Sequence, residues 1–204
     1  MIASFLISAC STKPDKIELF NGKDFTGWKL FIPDDSIDVN TVWQVKDGVI
    51  HCTGVPHGYM RTEQAFANYQ LHVEWRWVSE PGNSGVLLHI QEGDKVWPSC
   101  MEAQLKAGNA GDFVIMGPGY ITVDGEKRVN ENRFLGIKKK VEGVENPIGE
   151  WNSYDITYKD GDIILKVNGT LQNKGTDSFV TSGYIGLQSE GAPIEFRNIY
   201  LEKR

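Results

Sequence analysis

The sequence predicts an all-β protein, folded as a single β-sandwich of two antiparallel sheets. Apolar and polar residues alternate with a period of two in several short runs, which is typical of strands with one buried face. Turn-forming pairs such as Asp47-Gly48 and Asn168-Gly169 separate these runs. No segment of useful length has the apolar period of an amphipathic helix. A chain of 204 residues, 40% of them hydrophobic, is long enough for one such domain.

The strands are expected in order along the chain. A short strand from Ile17, an Asn21-Gly22 turn and an aromatic anchor at Trp28 come first, and residues 42–52 form the strongest hairpin signal. Residues 106–140 are rich in glycine and charge, so we expect long loops with short strands at 113–116 and 120–123. The remaining predicted strands lie at 58–62, 71–77, 86–90, 101–105, 151–158, 163–167, 184–188 and 194–201.

The charge balance excludes one class of function. The net charge is -6, and a basic surface of the kind that nucleic-acid binding needs is not expected. Lys138-Lys139-Lys140 is the only basic run, and we interpret it as a solvated loop. No apolar run approaches the length of a transmembrane helix.

The N-terminus has a different composition from the rest. Residues 1–10 form a short apolar run that ends in small residues before Cys10, and they resemble the lipobox of a bacterial lipoprotein signal. This predicts a signal and tether over residues 1–16, with a lipid on Cys10 that anchors domain 17–204 to a membrane of the bacterial cell envelope, in the periplasm or at the outer membrane. The alternative is an apolar, unmodified N-terminus on a cytosolic protein.

Two cysteines remain in the domain. Cys52 and Cys100 either pair as a disulfide or are buried as small hydrophobic residues, and the sequence alone leaves both open. Their spacing fits no zinc site.

Polar side chains on the central strands point to a binding surface. In residues 71–77, the polar side chains His72, Glu74 and Arg76 face away from the apolar side chains of Leu71, Val73, Trp75 and Trp77. In residues 101–105, Glu102 and Gln104 likewise share one face. We expect these polar residues on one sheet face, which is either solvated or holds a polar ligand.

Several short motifs follow one another along the chain in the order in which a known family has them. Together they resemble the 3-keto-disaccharide hydrolase family, whose domain is a concanavalin A-like jelly roll, over residues 17–202. The resemblance implies hydrolysis, or elimination followed by hydration, of glycosides already oxidised to a ketone at C3. The motifs are LFNGKD at 19–24, WQVKDG at 43–48, EWR at 74–76, NSGV at 83–86, EAQ at 102–104, EWN at 150–152, NG at 168–169, GLQ at 186–188 and FRNI at 196–199.

The implied chemistry needs few groups. A ketone at C3 acidifies the proton on C2, so one base, one donor to the enolate oxygen and one acid for the leaving group are enough. Glu102 is the leading base or acid, and Gln104 stands where laminarinase-type glucanases of this fold carry a second carboxylate. This departure argues against a double displacement, which needs two carboxylates. The alternative is that Glu102 and Gln104 only bind sugar hydroxyls.

Two further residues are catalytic candidates. Arg76 is expected to stabilise the enolate oxygen, or else to pair with Glu74 or Glu102 as a structural contact. His89 ends a central strand and is a second candidate base, or else a histidine bonded to a loop.

The remaining candidates would bind substrate. His57 and Arg61 flank a glycine and are placed at the rim, and Trp97 is a candidate platform for a sugar ring or else a core residue. Asp112 and Glu190 lie beside glycines and would supply a carboxylate or a ligand to a divalent cation, although no Asp-rich loop of metal-binding spacing is present. We therefore predict a carbohydrate-cleaving enzyme, with a non-catalytic, lectin-like carbohydrate-binding module as the alternative.

Overall fold

The computed structural model describes residues 15–204. The predicted lipobox and Cys10 lie outside the described residues. Within the part that is described, no helix is both long and apolar enough to cross a membrane.

The described chain is built from short strands and one 3₁₀ turn, Val39–Thr41. The strands are β1 (Lys16–Glu18), β2 (Trp28–Phe31), β3 (Trp43–Lys46), β4 (Val49–Cys52), β5 (Gly58–Thr62), β6 (Tyr69–Trp77), β7 (Gly85–Ile90), β8 (Cys100–Gln104), β9 (Phe113–Met116), β10 (Gly119–Val123), β11 (Glu126–Asn130), β12 (Phe134–Ile137), β13 (Asn152–Lys159), β14 (Asp162–Val167), β15 (Thr170–Thr176), β16 (Tyr184–Ser189) and β17 (Ile194–Lys203).

The strands form two antiparallel sheets, which confirms the predicted sandwich. The ten-stranded sheet has the order β11-β10-β15-β14-β13-β6-β17-β4-β3, with β1 paired to β17. The seven-stranded sheet has the order β12-β9-β8-β7-β16-β5-β2. Some neighbours are consecutive in sequence, such as β13 and β14 or β7 and β8, whereas others are distant, such as β6 and β17 or β7 and β16.

The core fills the space between the sheets. From β6 of the ten-stranded sheet, Leu71, Val73 and Trp75 are fully buried in it, as the period-two pattern predicted. From the seven-stranded sheet, Met101 and Ala103 face them. Burial of such apolar area is the main favourable term in folding.

The predicted tight turns are confirmed by the backbone. Asp47 and Gly48 have φ of 52° and 77°, and Asn168 and Gly169 have φ of 48° and 77°. A two-residue turn with φ positive at both positions matches the right-handed twist of the strands that it joins, and Asn, Asp and Gly adopt it most readily.

Residues 106–140 contain more strand than predicted. The two expected strands are present as β9 and β10, but β11 and β12 were not expected. Both are edge strands with mostly exposed or partly exposed residues. A strand without a buried face need not alternate apolar and polar residues, so its pattern is weak.

The expectation of one shared polar face is wrong. Glu74 and Arg76 lie on β6 of the ten-stranded sheet, whereas Glu102 and Gln104 lie on β8 of the seven-stranded sheet. Because the inward residues of both strands meet in the core, their polar residues face outward on opposite sides of the sandwich.

The disulfide alternative is also wrong. Cys52 and Cys100 are both free and buried. Cys52 lies on β4 of the ten-stranded sheet and packs in the core, whereas Cys100 lies on β8 with its side chain on the outer face of the seven-stranded sheet.

Candidate functional site

The outer face of the seven-stranded sheet has its own apolar layer. Its buried members form a cluster separate from the core, and Trp97 and Val114 pack against them. A sheet face with an apolar floor beneath polar side chains is suited to a ligand with both kinds of surface. The buried members are Tyr59, Leu87, Ile90, Cys100 and Met116.

The loop of residues 91–99, between β7 and β8, folds back over this face. Asp94 anchors it, since Oδ1 accepts hydrogen bonds from the Tyr59 hydroxyl at 2.9 Å and from Nε of Arg61 at 3.1 Å. Nζ of Lys29 donates to Oδ2 at 2.5 Å. The loop is thereby tied to β2 and β5.

A cleft of about 230 Å³ remains open beside this loop. It combines two aromatic side chains with two carboxyl groups and three amides, and we take it as the candidate site for that reason. Its lining is Asn83, Trp97, Glu102, Gln104, Val114, Phe134, Gly136, Gln188 and Glu190.

Glu102 is the most deeply buried carboxyl group of the cleft. Its residue is 4% exposed, and its Oε1 has no hydrogen-bond partner in the protein. Burial, and then the negative charge of Glu190, raise the pKa of Glu102 to about 8. A carboxyl group with these properties is protonated, and able to donate a proton, near neutral pH.

Glu190 is the second carboxyl group and directly follows β16. Its backbone forms an isolated bridge with Asn83, which brings residues from two strand ends to the same side of the cleft. Burial raises the pKa of Glu190 to about 7, while the Asn83 side chain and the positive charges of Arg133 and Lys106 act in the opposite direction.

The cleft has unused hydrogen-bond acceptors. The side-chain oxygens of Asn83 and Gln188 are buried without a partner, and Gln188 is 1% exposed. Oε1 of Gln104 instead accepts from the backbone N–H groups of Leu105 and Lys106. Buried polar atoms are nearly always paired, so the unpartnered oxygens of Asn83 and Gln188 fit a ligand that brings hydroxyl donors.

Oxygen ligands of this kind also suit a hard cation. Within residues 15–204, however, no group of three or more His, Cys, Asp or Glu side chains is arranged to hold a metal ion. Among the residues that the structure describes, the acidic side chains lining the cleft are Glu102 and Glu190.

Trp97 forms a wall of the cleft, in the position expected for a platform. Its ring meets Phe134 edge-on at 5.6 Å between centroids, and the guanidinium of Arg133 lies 5.1 Å from it. His57 contacts the same ring at 5.6 Å, which places this exposed histidine beside the wall. An indole held in this way offers a flat apolar surface to a sugar ring.

Arg61 and Asp112 do not line the cleft. The Arg61 guanidinium binds Asp94 and lies 4.0 Å from the Tyr184 ring. The Asp112 carboxylate accepts from the backbone N–H of Lys139 at 2.8 Å and from Nζ of Lys138 at 2.9 Å. Both side chains hold neighbouring segments together.

His89 also lies away from the cleft. Between Leu87 and Ile90, β7 has one residue more than β16 opposite it, and His89 has a φ of 56° in this β-bulge. The bulge turns the His89 ring into the core, 3.9 Å from the ring of Tyr158. It is fully buried, and burial lowers its pKa to about 4. The expectation of a base at the cleft does not agree with this position.

Arg76 lies on the outer face of the other sheet. Its Nε donates to Oε2 of Glu195 at 2.5 Å, and its guanidinium lies 4.7 Å from the Trp151 ring. The predicted pairing with Glu74 or Glu102 is therefore wrong, since Glu74 binds Arg197 and Asn198. Arg76 makes a structural contact on the side of the sandwich opposite to Glu102.

Five residues of the cleft were not among the predicted site residues, namely Asn83, Val114, Phe134, Gly136 and Gln188. Gln188 and Glu190 stand two apart at the end of β16, as Glu102 and Gln104 do in β8. This repeated spacing of an amide and a carboxyl group was the signal for Gln188. Phe134 gave no such signal, because it lies in a strand that the sequence did not predict.

Solved structures share this architecture. The chain is 28% identical to a protein of Parabacteroides distasonis assigned as a glycosyl hydrolase, with a TM-score of 0.69, over 93% of this chain and 94% of that one. A β-glucanase of Bacillus licheniformis is 13% identical with a TM-score of 0.59, over 95% of this chain and 99% of that one. The carbohydrate-binding module CBM66 of Bacillus subtilis is 14% identical with a TM-score of 0.58, over 87% and 96%.

The fold and the cleft define a carbohydrate-active protein of the concanavalin A-like jelly-roll class. No curated protein matches the sequence significantly. The chain belongs to the family of the 3-keto-alpha-glucoside-1,2-lyase-like domain, whose model matches residues 15–202.

Proposed function

We propose that the protein is an enzyme that cleaves glycosides already oxidised to a ketone at C3. The observation that carries this proposal is the Glu102 carboxyl group, buried in a cleft without a partner and next to a second carboxyl group. Family membership supports the choice of a 3-keto sugar as substrate.

The reaction would be an elimination followed by the addition of water. A base removes the proton on C2, the electron pair of that bond forms the enolate, and the enolate expels the substituent at C1, which takes a proton from an acid. Water then adds across the resulting double bond between C1 and C2 and restores the 3-keto sugar. Glu102 and Glu190 are the groups in the cleft that titrate near neutral pH, where a general acid or base is most effective.

The other cleft residues would hold the substrate. The amides of Asn83, Gln104 and Gln188 present N–H donors and oxygen acceptors for hydroxyl groups and for the enolate oxygen. Trp97 would stack on the sugar ring. His89 and Arg76 have no part in this mechanism, because both lie outside the cleft.

The alternative is a carbohydrate-binding module without turnover. It is favoured by the unpartnered acceptors, which suit binding as well as chemistry, and by the similarity in fold to a carbohydrate-binding module. Incubation with 3-keto glucosides and their unoxidised parents, with and without divalent cations, separates the two. Release of the aglycone from the keto compounds alone, lost for a methyl glycoside in a folded Glu102→Gln variant, supports the enzyme. Saturable binding of sugars without cleavage would contradict the enzyme proposal and support the carbohydrate-binding module.

The proposed location is the bacterial cell envelope, with the domain tethered to a membrane by a lipid on Cys10. The support is the lipobox-like sequence before Cys10. Mass spectrometry of the N-terminal peptide from a bacterial membrane fraction tests it. A diacylglyceryl group on Cys10, lost in Cys10→Ser, is expected, and an unmodified Cys10 in a soluble fraction would contradict it.

A further inference from the structure

Glu102 and Glu190 come from strands that are not neighbours. Glu102 lies in β8 and Glu190 follows β16, with β7 between them, yet both side chains line one cleft of about 230 Å³. Two carboxylates that line one small cleft repel one another, so one of them holds a proton more tightly than an isolated carboxyl group does.

Their surroundings are unequal. Glu102 is 4% exposed and has apolar neighbours on the same sheet face, such as Leu87 and Val114, and its Oε1 lacks a partner. Glu190 is only partly buried and has the Asn83 amide and two cations, Arg133 and Lys106, near it. The negative charge is therefore better stabilised on Glu190 than on Glu102.

Within residues 15–204, no cation acts on Glu102 to reverse this order. The titratable groups that interact with it from the elements packed around it are Cys100 on its own strand, Tyr154 on β13 and Glu190. Cys100 and Tyr154 are fully buried, and burial raises the pKa of each well above its ordinary value, so both are neutral at pH 7.

We infer that Glu102 and Glu190 hold one proton between them at neutral pH, that the proton resides on Glu102, and that the two residues divide the reaction accordingly. This rests on the proposed function. Ionised Glu190 takes the proton from C2 of the 3-keto sugar, and protonated Glu102 gives its proton to the departing oxygen at C1. The proton from C2 then lies on Glu190, and the addition of water returns both groups to their starting states.

Infrared difference spectroscopy tests the resting state without any substrate. Wild type at pH 7 should show the C=O stretch of one buried protonated carboxyl group, absent in Glu102→Gln and unchanged in Glu80→Gln, which alters an exposed glutamate outside the cleft. In Glu190→Gln the band should remain but be lost at a lower pH, because the neighbouring negative charge is gone. A band that survives in Glu102→Gln and disappears in Glu190→Gln would overturn the assignment, as would no band at all.

Kinetics in D₂O test the division of roles. Glu190→Gln should lose exchange of the C2 hydrogen and cleavage of all 3-keto glucosides alike. Glu102→Gln should keep the exchange and cleave a 4-nitrophenyl glycoside at close to the normal rate, but lose about 100-fold or more with a methyl glycoside, whose leaving group needs an acid. The reverse pattern would assign the roles the other way round. If no keto compound reacts, the proposed function fails, whereas the infrared titration still decides where the proton resides.

Discussion

A Cβ atom on Gly85 would lie 2.4 Å from Oε1 of Glu102, so the carboxyl group occupies the space that a side chain on the neighbouring strand would fill. Two such atoms cannot approach so closely without one of them moving. The lack of a side chain at residue 85 is therefore a condition for the buried position of Glu102 in the cleft.

Gly85→Ala should displace the Glu102 carboxyl group and abolish its function while the sandwich still folds. We expect cleavage of a methyl 3-keto glucoside, whose leaving group needs an acid, to fall by about 100-fold or more. Gly136→Ala is the matched control, because residue 136 also lines the cleft but a Cβ there meets nothing within 4 Å. Equal loss in both variants would show that the cleft does not depend on this contact.

Relative to the wild type, the Glu102→Gln variant should become more stable as the pH rises. The pKa of Glu102 is raised by burial to about 8, so between about pH 4.5 and 8 the unfolded chain releases this proton and the folded chain retains it. The stability of the wild type therefore falls through this range, and the variant gains on it by on the order of 3 kcal/mol between pH 5 and 8. Urea unfolding at several pH values measures this, and a constant difference would contradict it.

His89→Asn should change stability rather than chemistry. Burial lowers the pKa of His89 to about 4, so the unfolded chain binds more protons below about pH 6.5 and the wild type loses up to about 3 kcal/mol as the pH falls towards 4. Asparagine tolerates the positive φ and does not titrate, so the acid dependence should flatten. The variant should be about 1–3 kcal/mol less stable at neutral pH because packing on Tyr158 is lost. A specific loss of kcat would contradict its core position.

Asp94→Ala should release the loop of residues 91–99. The change removes the acceptor for Tyr59, Arg61 and Lys29, and Trp97 on the same loop then has a less fixed position. We expect faster amide hydrogen exchange in the loop and a KM about 10-fold higher, which corresponds to about 1.4 kcal/mol.

The control for Asp94→Ala is Glu92→Ala, since Glu92 is an exposed residue of the same loop whose carboxylate contacts the Tyr184 hydroxyl at its edge. A similar KM in both variants would mean that Asp94 does not anchor the wall of the cleft.

The sequence predicted the fold well because its signals are local. The hairpin at Asp47-Gly48 needs two residues of positive φ, and the alternation from Leu71 to Trp77 needs one buried face, and both can be read from neighbouring residues. The edge strands β11 and β12 were not predicted, because neither face of these strands is fully covered and their alternation is weak.

The site was predicted only in part, because its geometry depends on pairing between distant strands. Glu102, Gln104, Trp97 and Glu190 do line one cleft. Which sheet a strand joins decides the side to which its polar face points, and that choice placed Arg76 with Glu195 instead. A period of two shows that residues share a face, but it does not show which strands lie side by side.

Because β7 has one extra residue, the face on which residue 89 lies depends on the length of the strand and not on the type of residue at that position. Without the bulge the strand would keep its regular alternation, and residue 89, two positions after Leu87, would share the outer face with Leu87. The same histidine would then lie on the sheet face that carries Cys100, outside the core between the sheets. Relatives of this chain should therefore be compared by the length of this strand before a histidine at its end is given a role.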